Sequence, residues 1–492
     1  MIGFRCGFGP ILQDARRARC LSAPMIARIK SRAVFSSTVE AATTTPHVQD
    51  APAKSSPGKI TSPSGASGKG MIDTQPPRGT RDFYPEDHRL RSWLFGEFSA
   101  VSNLFGFEQW DAPVLESEEL FVRKAGEEIT DQLYNFVDKG ERHVALRPEL
   151  TPSLARLLLA KQKTLVLPAK WFAIGQCWRY ERMTRGRRRE HYQWNMDIVG
   201  VAGVEAEAEL LAAITLFFSR IGLSSQDVGI KVSNRKVLQA VLSQYNVPQE
   251  LFAPVCIVVD KIEKLPREQI EKELTTLGVA PDTITGVLAA MSLRSLEQLG
   301  DLLGQQSEAV LELRRLFHLA EGYGYADWLV FDPSVVRGLA YYTGTVFEGF
   351  DREGKLRAIC GGGRYDKLLG TFGGEDLPCC GFGFGDAVIV ELLKDKGKLP
   401  TPQQQVDDVV VALDEALRAD AAGVAQGLRK AGRRTELVLE AKKMKWAFKH
   451  AERLGAARLV LVGADEWSRG AVSVKDLHAR TQLEVPLAQL LA

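Results

Sequence analysis

The sequence lacks the features that mark membrane-spanning, disulfide-rich and zinc-ribbon proteins. Its 492 residues contain no apolar run near the roughly 18 residues that a spanning helix needs, so we expect no membrane partner. The seven cysteines are sparse and odd in number, and none forms a C-x-x-C pair. These absences argue against a disulfide framework and against a cysteine-based structural zinc site.

Net charge is also nearly absent from the chain as a whole. There are 63 basic and 61 acidic residues, and hydrophobic residues make up 45%, which is the composition of an ordinary globular protein. The balance hides an asymmetry, because residues 1–70 hold ten basic residues and only three acids. The remaining chain is mildly acidic, so any contact with nucleic acid must come from local basic patches.

The N-terminal segment has the composition of a targeting sequence. Residues 1–40 contain six arginines and two acids, with no continuous apolar stretch of the secretory kind, as in organellar transit peptides. Residues 41–70 are rich in Pro, Ser, Gly and Thr and predict a disordered linker. We therefore expect delivery to a chloroplast, a mitochondrion or both, with residues 1–70 dispensable for catalysis. The alternatives are a basic tail on a cytosolic protein and an internal start at Met71.

The body predicts an α+β fold with several domains. A helix, a hairpin, a second helix, a pair of long strands and a third helix are indicated at 87–106, 133–147, 151–163, 171–200 and 205–221. We expect the main domain to span 71–395, with an inserted helical subdomain at about 249–327. Residues 396–405 have the composition of a linker, and 406–492 alternate strands and helices as a small α/β domain.

The most informative segment is the stretch 176–199, in which five arginines lie between two predicted strands. A charge run by itself usually marks a solvated surface. Here Arg179 and Glu181 are predicted to share one face of the incoming strand, and Gln193, Asn195 and Asp197 one face of the returning strand. That face is too polar for a core, so we interpret it as the floor of a site for a small polar ligand.

Three further motifs are less specific when each is taken alone. Arg337, Tyr341 and Tyr342 lie between strand-like runs, although paired tyrosines often only pack. The glycines of CGGGRYD (360–366) permit close approach of a ligand or mark a bulged edge strand. Glu149 and Thr151 precede a helix, and Thr151 could simply be its N-cap.

Taken together, these motifs resemble the class II aminoacyl-tRNA synthetases, and specifically the histidyl-tRNA synthetase family. The resemblance covers nearly all of 75–492. PPRGTRDFYPED is similar to the opening signature, CWRYE to the second class II motif, and VVRGLAYYTGTVFE with GGGRYDKLLG to stretches typical of the histidyl enzymes. The fold implied is a class II antiparallel sheet flanked by helices, with an anticodon-binding α/β domain at the C terminus.

Two positions depart from the family pattern. Ala340 stands where the histidyl motif usually has an acidic residue, so we assign no role there. Val388 stands near the point where the third class II motif normally ends in an arginine that packs on adenine. Arg179 and Arg337 are therefore expected to carry more of the phosphate contacts.

The resemblance implies ATP-dependent ligation of L-histidine to tRNA-His through a histidyl-adenylate, with Mg²⁺ on the phosphates and no metal ligands in the protein. Arg179 and Arg337 match the catalytic arginines, and Glu181 matches the residue that reads adenine. The matches for histidine binding are Glu149, Thr151, Gln193, Asp197, Tyr341, Tyr342 and Tyr365. The expected contacts with tRNA are Arg182, Arg185, Arg187, Arg188 and Arg189.

The resemblance also implies a homodimer. It leaves two other functions open. One is a non-aminoacylating relative with a regulatory or tRNA-sensing role, and the other is a structural RNA-binding protein of an organelle.

Overall fold

A computed structural model describes residues 72–123, 131–262, 265–336, 341–403 and 406–491. The expectations for the transit segment, for Met71, for Arg337 and for Ala340 lie outside these residues. Asp73–Ala492 form one compact unit. None of the helices in the described part is long and apolar enough to cross a membrane.

The elements alternate along the chain as the hydrophobic periodicity indicates. The helices are α1 (Pro85–Leu104), α2 (Glu119–Val122), α3 (Thr151–Lys161), α4 (Glu205–Arg220), α5 (Arg235–Gln244), α6 (Phe252–Val259), α7 (Arg267–Thr276), α8 (Pro281–Met291), α9 (Leu296–Leu303), α10 (Glu308–Tyr323), α11 (Leu368–Thr371), α12 (Asp386–Asp395), α13 (Arg418–Lys430), α14 (Met444–Arg453), α15 (Ala464–Ser468) and α16 (Leu487–Leu490). The strands are β1 (Glu108–Gln109), β2 (Leu115–Ser117), β3 (Tyr134–Val137), β4 (His143–Leu146), β5 (Ala169–Trp178), β6 (Glu190–Val199), β7 (Val228–Asn234), β8 (Leu329–Phe331), β9 (Thr345–Asp351), β10 (Cys360–Arg364), β11 (Cys379–Gly385), β12 (Asp408–Ala412), β13 (Thr435–Leu437), β14 (Arg458–Val462), β15 (Ala471–Asp476) and β16 (Gln482–Pro486).

An eight-stranded sheet organises the larger part of the chain, in the order β1-β5-β6-β11-β10-β9-β7-β8. Its six central strands are antiparallel, as expected, whereas the short edge strands β1 and β8 pair in parallel with their neighbours. The predicted hairpin is present as β3 and β4, which join β2 in a separate three-stranded sheet. The fold is therefore the α+β class that the sequence indicates, with a mixed main sheet.

One face of the main sheet packs on α1 and α4 through a cluster of aromatic rings. The Trp194 ring centre lies 4.7 Å from that of Phe98 on α1, and its indole N–H donates to the Ser102 hydroxyl at 2.9 Å. Phe217 of α4 and Phe384 of β11 complete the cluster. Burial of each such side chain contributes about 1.5–3 kcal/mol, so this core fixes which way β6 and β11 face.

The helices α5 to α10 lie between β7 and β8 in the sequence. Of these, α6 to α10 fall within the stretch where a helical insertion is expected, and α5 precedes it. Their apolar residues are continuous with the core under the main sheet, including Val255, Leu274 and Leu313. The C-terminal residues form a second sheet in the order β13-β12-β14-β15-β16, with its own buried clusters on both faces.

A buried ion pair joins β10 to α4 beneath the sheet. Arg364 donates to the two carboxylate oxygens of Glu207 at 2.7 and 2.6 Å, and to the carbonyls of Val201 and Gly203 at 2.9 Å. Both side chains are almost inaccessible to water. Arg364 also contacts the Asp366 carboxylate at 3.2 Å, so protein groups in place of water balance the buried charges.

Arg364→Ala should destabilise the fold by about 3–5 kcal/mol, because it leaves the Glu207 carboxylate buried without its partner. The measurement is the urea unfolding midpoint, followed by far-UV circular dichroism. Arg469→Ala, which breaks the exposed pair with Glu484, is the control and should change the midpoint little. An Arg364→Ala midpoint equal to that of the control would contradict the role given to the buried pair.

Candidate functional site

A cleft opens on the other face of the main sheet. It is open to solvent and has a cavity volume of about 180 Å³. Several predicted residues line it: Glu149, Thr151, Arg179, Glu181, Arg187, Arg188, Gln193, Tyr341, Tyr342 and Tyr365. The cleft thus brings together side chains that are up to about 200 positions apart in the chain.

The floor of the cleft is made by the pleat of β6 and β11. Polar side chains of β6 stand on the cleft face, and the residues opposite them in β11 are all glycines: Gln193 pairs with Gly385, Asn195 with Gly383, and Asp197 with Gly381. A Cβ at Gly381 would lie 2.0 Å from the Asp197 carboxylate. Glycine is therefore required there, and its absent side chain leaves the space that the cleft occupies.

The strand β10 supplies further glycines from the interior of the sheet. It lies between β9 and β11, so the alternative of a bulged edge strand for CGGGRYD is wrong. A Cβ at Gly362 would lie 2.2 Å from the Gly381 carbonyl oxygen, and Gly361 lines the cleft. Glycine in β10 therefore allows close packing at Gly362 and leaves the floor of the cleft open at Gly361.

A carboxylate and a phenol meet at the deep end of the site. The Tyr365 hydroxyl donates to Asp197 at 2.5 Å, and both residues are buried. Burial and the charge of Asp197 raise the pKa of Tyr365, so the phenol stays protonated. Tyr342 also lines the cleft.

Acceptors for a cationic group lie nearby at the start of α3. The Tyr341 hydroxyl is 3.4 Å from the Glu149 carboxylate, and its ring centre is 4.7 Å from that of Tyr342. The N-cap of α3 is Leu150, and Thr151 is its first helical residue, so the reading of Thr151 as the N-cap is wrong. The Thr151 side chain is buried and lines the cleft.

The two residues expected on the incoming strand lie just beyond it. The strand β5 ends at Trp178, so Arg179 and Glu181 belong to the connection that follows. Arg179 is held there because its Nε donates to the Pro148 carbonyl at 2.9 Å. Burial raises the pKa of Glu181, but the bonded Arg187 guanidinium and the charges of Arg179 and Arg357 together outweigh it, and the pKa is lowered. Both residues still reach the cleft.

The five loop arginines have different surroundings. Arg185 lies across α12, bonded to Glu391 at 3.1 Å and to Asp395 at 2.6 Å. The Arg189 guanidinium stands 3.9 Å from the centre of the Tyr180 ring. Arg187 and Arg188 line the cleft, and Arg182 is exposed.

Two residues of the cleft were not singled out from the sequence. His191 lies two positions before Gln193 on β6, so the alternation that marked the floor extends to it and could have revealed it. Arg357 comes from the connection between β9 and β10, and no local pattern marks it. Asn195, which the sequence placed on the floor without a role, has a buried side-chain oxygen with no hydrogen-bond partner in the described part of the chain.

Metal ligands are not clustered in the described residues, where no group of three or more His, Cys, Asp or Glu could hold an ion. A protein cage for a divalent cation needs several such oxygen donors. The described residues therefore do not fit a resident metal centre, and any cation would be held mainly by the groups of a bound ligand.

Comparisons with known proteins agree on one family. The sequence model described as histidyl-tRNA synthetase matches residues 79–386, and that of an anticodon binding domain matches residues 407–492. The chloroplastic/mitochondrial histidine–tRNA ligase of Arabidopsis thaliana is 62% identical over 419 residues, which cover 85% of this chain and 86% of that protein. The histidine–tRNA ligase of Opitutus terrae is 39% identical and is covered over 96% of its length.

Solved structures give the same fold. The crystal structure of histidyl-tRNA synthetase from a Nostoc species has a TM-score of 0.70 and 26% identity, with 86% of this chain and 98% of that chain covered. A structure from Bacillus halodurans titled as an ATP phosphoribosyltransferase regulatory subunit/histidyl-tRNA synthetase has a TM-score of 0.66. Its identity of 22% shows a shared fold and no more.

We predict that His191 stays neutral from pH 8 to pH 5. Burial, with the charges of Arg179, Arg357 and Arg81, lowers its pKa to about 3, whereas an unfolded histidine titrates near 6.5. The unfolded chain therefore takes up a proton first as the pH falls. The stability that neutral His191 contributes is complete above about pH 6.5 and declines from there towards pH 3.

NMR titration of histidine-labelled protein should show one imidazole that does not titrate in this range and that disappears in His191→Phe. The same variant should lose part of the fall in unfolding midpoint between pH 7 and pH 5. His318→Phe, on the exposed side of α10, is the control and should keep the pH dependence of the wild type. A His191 resonance that titrates near pH 6.5 would overturn the prediction.

Proposed function

Because the chain belongs to the histidyl-tRNA synthetase family and is a histidine–tRNA ligase, we propose how its residues divide the reaction. The reaction joins histidine to ATP as histidyl-adenylate and then transfers the histidyl group to tRNA. The observation that carries the residue assignment is the polarity of the cleft. Tyr365, which is bonded to the buried Asp197 carboxylate, lines the cleft with Tyr341 and Tyr342, and so do four arginines.

Histidine is proposed to bind at the deep end. A neutral imidazole has a donor at one nitrogen and an acceptor at the other, and Asp197 with Tyr342 and Tyr365 offers the complementary acceptor and donor. Glu149, Thr151 and Gln193 receive the α-ammonium, and the Tyr341 ring closes the pocket wall. An analogue without the ring nitrogens would leave these buried groups unpaired, which is how such a site rejects it by about 10⁴-fold.

ATP is proposed to bind at the arginine-lined end. Four arginines and two glutamates line the cleft, so with His191 neutral its lining carries a net charge of +2. Negative charge grows on the α-phosphate oxygens as the histidine carboxylate attacks in line, and fixed guanidinium groups stabilise that charge. Arg179 and Arg337 take this role, Glu181 reads the adenine, and no protein nucleophile is needed.

Magnesium is proposed to arrive with ATP. The described residues offer no cage for it, so the phosphates would be its main ligands and it would neutralise the leaving pyrophosphate. The proposed roles of the side chains do not require a metal ion held by the protein.

The loop between β5 and β6 is proposed to serve two ligands. Arg187 is bonded to Glu181 at the cleft, so we assign it a contact with the nucleotide as well as with tRNA. Arg182, Arg185, Arg188 and Arg189 are the remaining proposed contacts with the tRNA acceptor end. Arg182 and Arg188 are exposed cations of this loop, whereas Arg185 would exchange its partners Glu391 and Asp395 for phosphates.

The protein works in translation inside an organelle, since its Arabidopsis relative is named chloroplastic/mitochondrial. Residues 1–70 are the proposed transit segment and linker.

We further propose a homodimer. Exposed apolar side chains on the small sheet support it, including Leu115, Phe136 and Val137, because such surface is usually covered. Light scattering should give about twice the chain mass of 54.3 kDa.

A regulatory or tRNA-sensing role without aminoacylation is the weaker alternative. It draws on the departure at Val388 and on a fold shared with the Bacillus halodurans protein. The anticodon-domain match over 407–492 and the high identity to a ligase favour the enzyme.

Histidine-dependent ATP–pyrophosphate exchange tests the function, and residues 71–492 should retain it. We expect Arg337→Ala to lower the exchange rate by about 10²-fold, because it removes one preorganised donor to the developing charge. The Michaelis constants for histidine and ATP should change much less. An equal loss in binding and in rate would show that Arg337 holds only the ground state.

The arginines between β5 and β6 can be tested one at a time for contact with tRNA or with the nucleotide. Arg182→Ala should leave pyrophosphate exchange near wild type and weaken aminoacylation, with a shallower salt dependence, because it removes one contact to a tRNA phosphate. Arg187→Ala is the matched variant from the same loop and should lower both reactions. Loss of exchange in Arg182→Ala, with circular dichroism unchanged, would contradict this division.

A further inference from the structure

The connection between β9 and β10 brings an arginine to the start of α12. Cys360 pairs with Phe384 across β10 and β11, so the residues just before Cys360 run past Gly385 towards the first turn of α12. Arg357 of this connection lines the cleft, and so does Val388 of α12. Two neighbouring segments therefore reach the same part of the site.

The surroundings of Arg357 are those of a site for an anion. Its guanidinium has no hydrogen bond or ion pair to any residue in the described ranges, whereas Arg187 is bonded to Glu181. Burial, together with the charges of Arg187 and Arg179, lowers the pKa of Arg357 against the opposing charges of Glu181 and Glu348, and a guanidinium remains charged at neutral pH. Three guanidinium groups thus converge on a space where the Glu181 carboxylate is already bonded to Arg187.

The tip of the loop between β5 and β6 packs against the first turn of α12. A Cβ on Gly186 would lie 3.1 Å from a methyl of Val388, so the loop tip packs directly on that side chain. Arg185 fixes the loop there through Glu391 and Asp395 of the same helix. Val388 therefore packs against the loop tip, whereas Arg357 reaches the cleft from the connection between β9 and β10.

We propose that Arg357 binds the triphosphate of ATP and brings a guanidinium to the part of the site where Val388 replaces the usual arginine of the third motif. The inference rests on the proposed ATP site and adds to it a residue from a different strand connection. Arginine suits this contact because its planar fork pairs with two phosphate oxygens at once. The converging cations favour the phosphates over the adenine as the group contacted.

The test is histidine-dependent pyrophosphate exchange with the full chain. Arg357→Ala should raise the Michaelis constant for ATP by about 10-fold or more, since one charge-assisted hydrogen-bonding group is lost. The constant for histidine should stay near wild type. Arg357→Lys should recover part of the loss because it keeps the charge without the fork. Lys355→Ala is the control, since Lys355 lies in the same connection, pairs with Glu353 at 2.7 Å and does not line the cleft.

Competitive inhibition by adenosine distinguishes a contact with the nucleoside from a contact with the phosphates. The inhibition constant should be unchanged in Arg357→Ala if the contact is to phosphate, and a parallel rise would overturn that assignment. An unchanged Michaelis constant for ATP, or an effect confined to tRNA, would overturn the proposal outright. Absence of histidine-dependent exchange in the wild type would instead contradict the proposed function, so the two failures are distinguishable.

Discussion

The site depends on the alternation of side chains along β6. Trp194, Met196 and Ile198 face the aromatic core, so the residues between them must face the cleft. A shift of register by one residue would bury the floor residues and expose the tryptophan, and the packing of Trp194 on Phe98 opposes it. The core on one face of the sheet therefore positions the polar residues on the other.

The same register explains why β11 alternates glycine and phenylalanine. Phe382 and Phe384 fill the core, while the glycines between them stand opposite the polar residues of β6. Any side chain on the cleft face of β11 would meet those residues or occupy the ligand space, as the Cβ position at Gly381 shows. One strand thus meets two opposite packing demands, and its unusual composition follows from them.

Strong periodicity made much of the fold predictable. The helix α4, the hairpin of β3 and β4, and the two long strands were found from the sequence, and so was the polar face of β6. The sequence placed Arg179 on β5 and left an N-cap role open for Thr151, because strand ends and caps depend on tertiary contacts such as the bond from Arg179 to Pro148. Arg357 could not be found, because its place in the cleft is set by the pairing of β10 with β11 and leaves no local pattern.

The gathering of cations in the cleft links the ligand to the stability of the protein. The charges of Arg179 and Arg187 repel that of Arg357, and the pKa of Arg357 is lowered partly for that reason. A neutral His191 limits this repulsion, since a protonated ring beside two of these arginines would add to it. A bound polyanion removes the repulsion and also binds only the folded state, so it stabilises the fold as it occupies the site. The same arginines therefore lower the stability of the ligand-free protein and bind the polyanion.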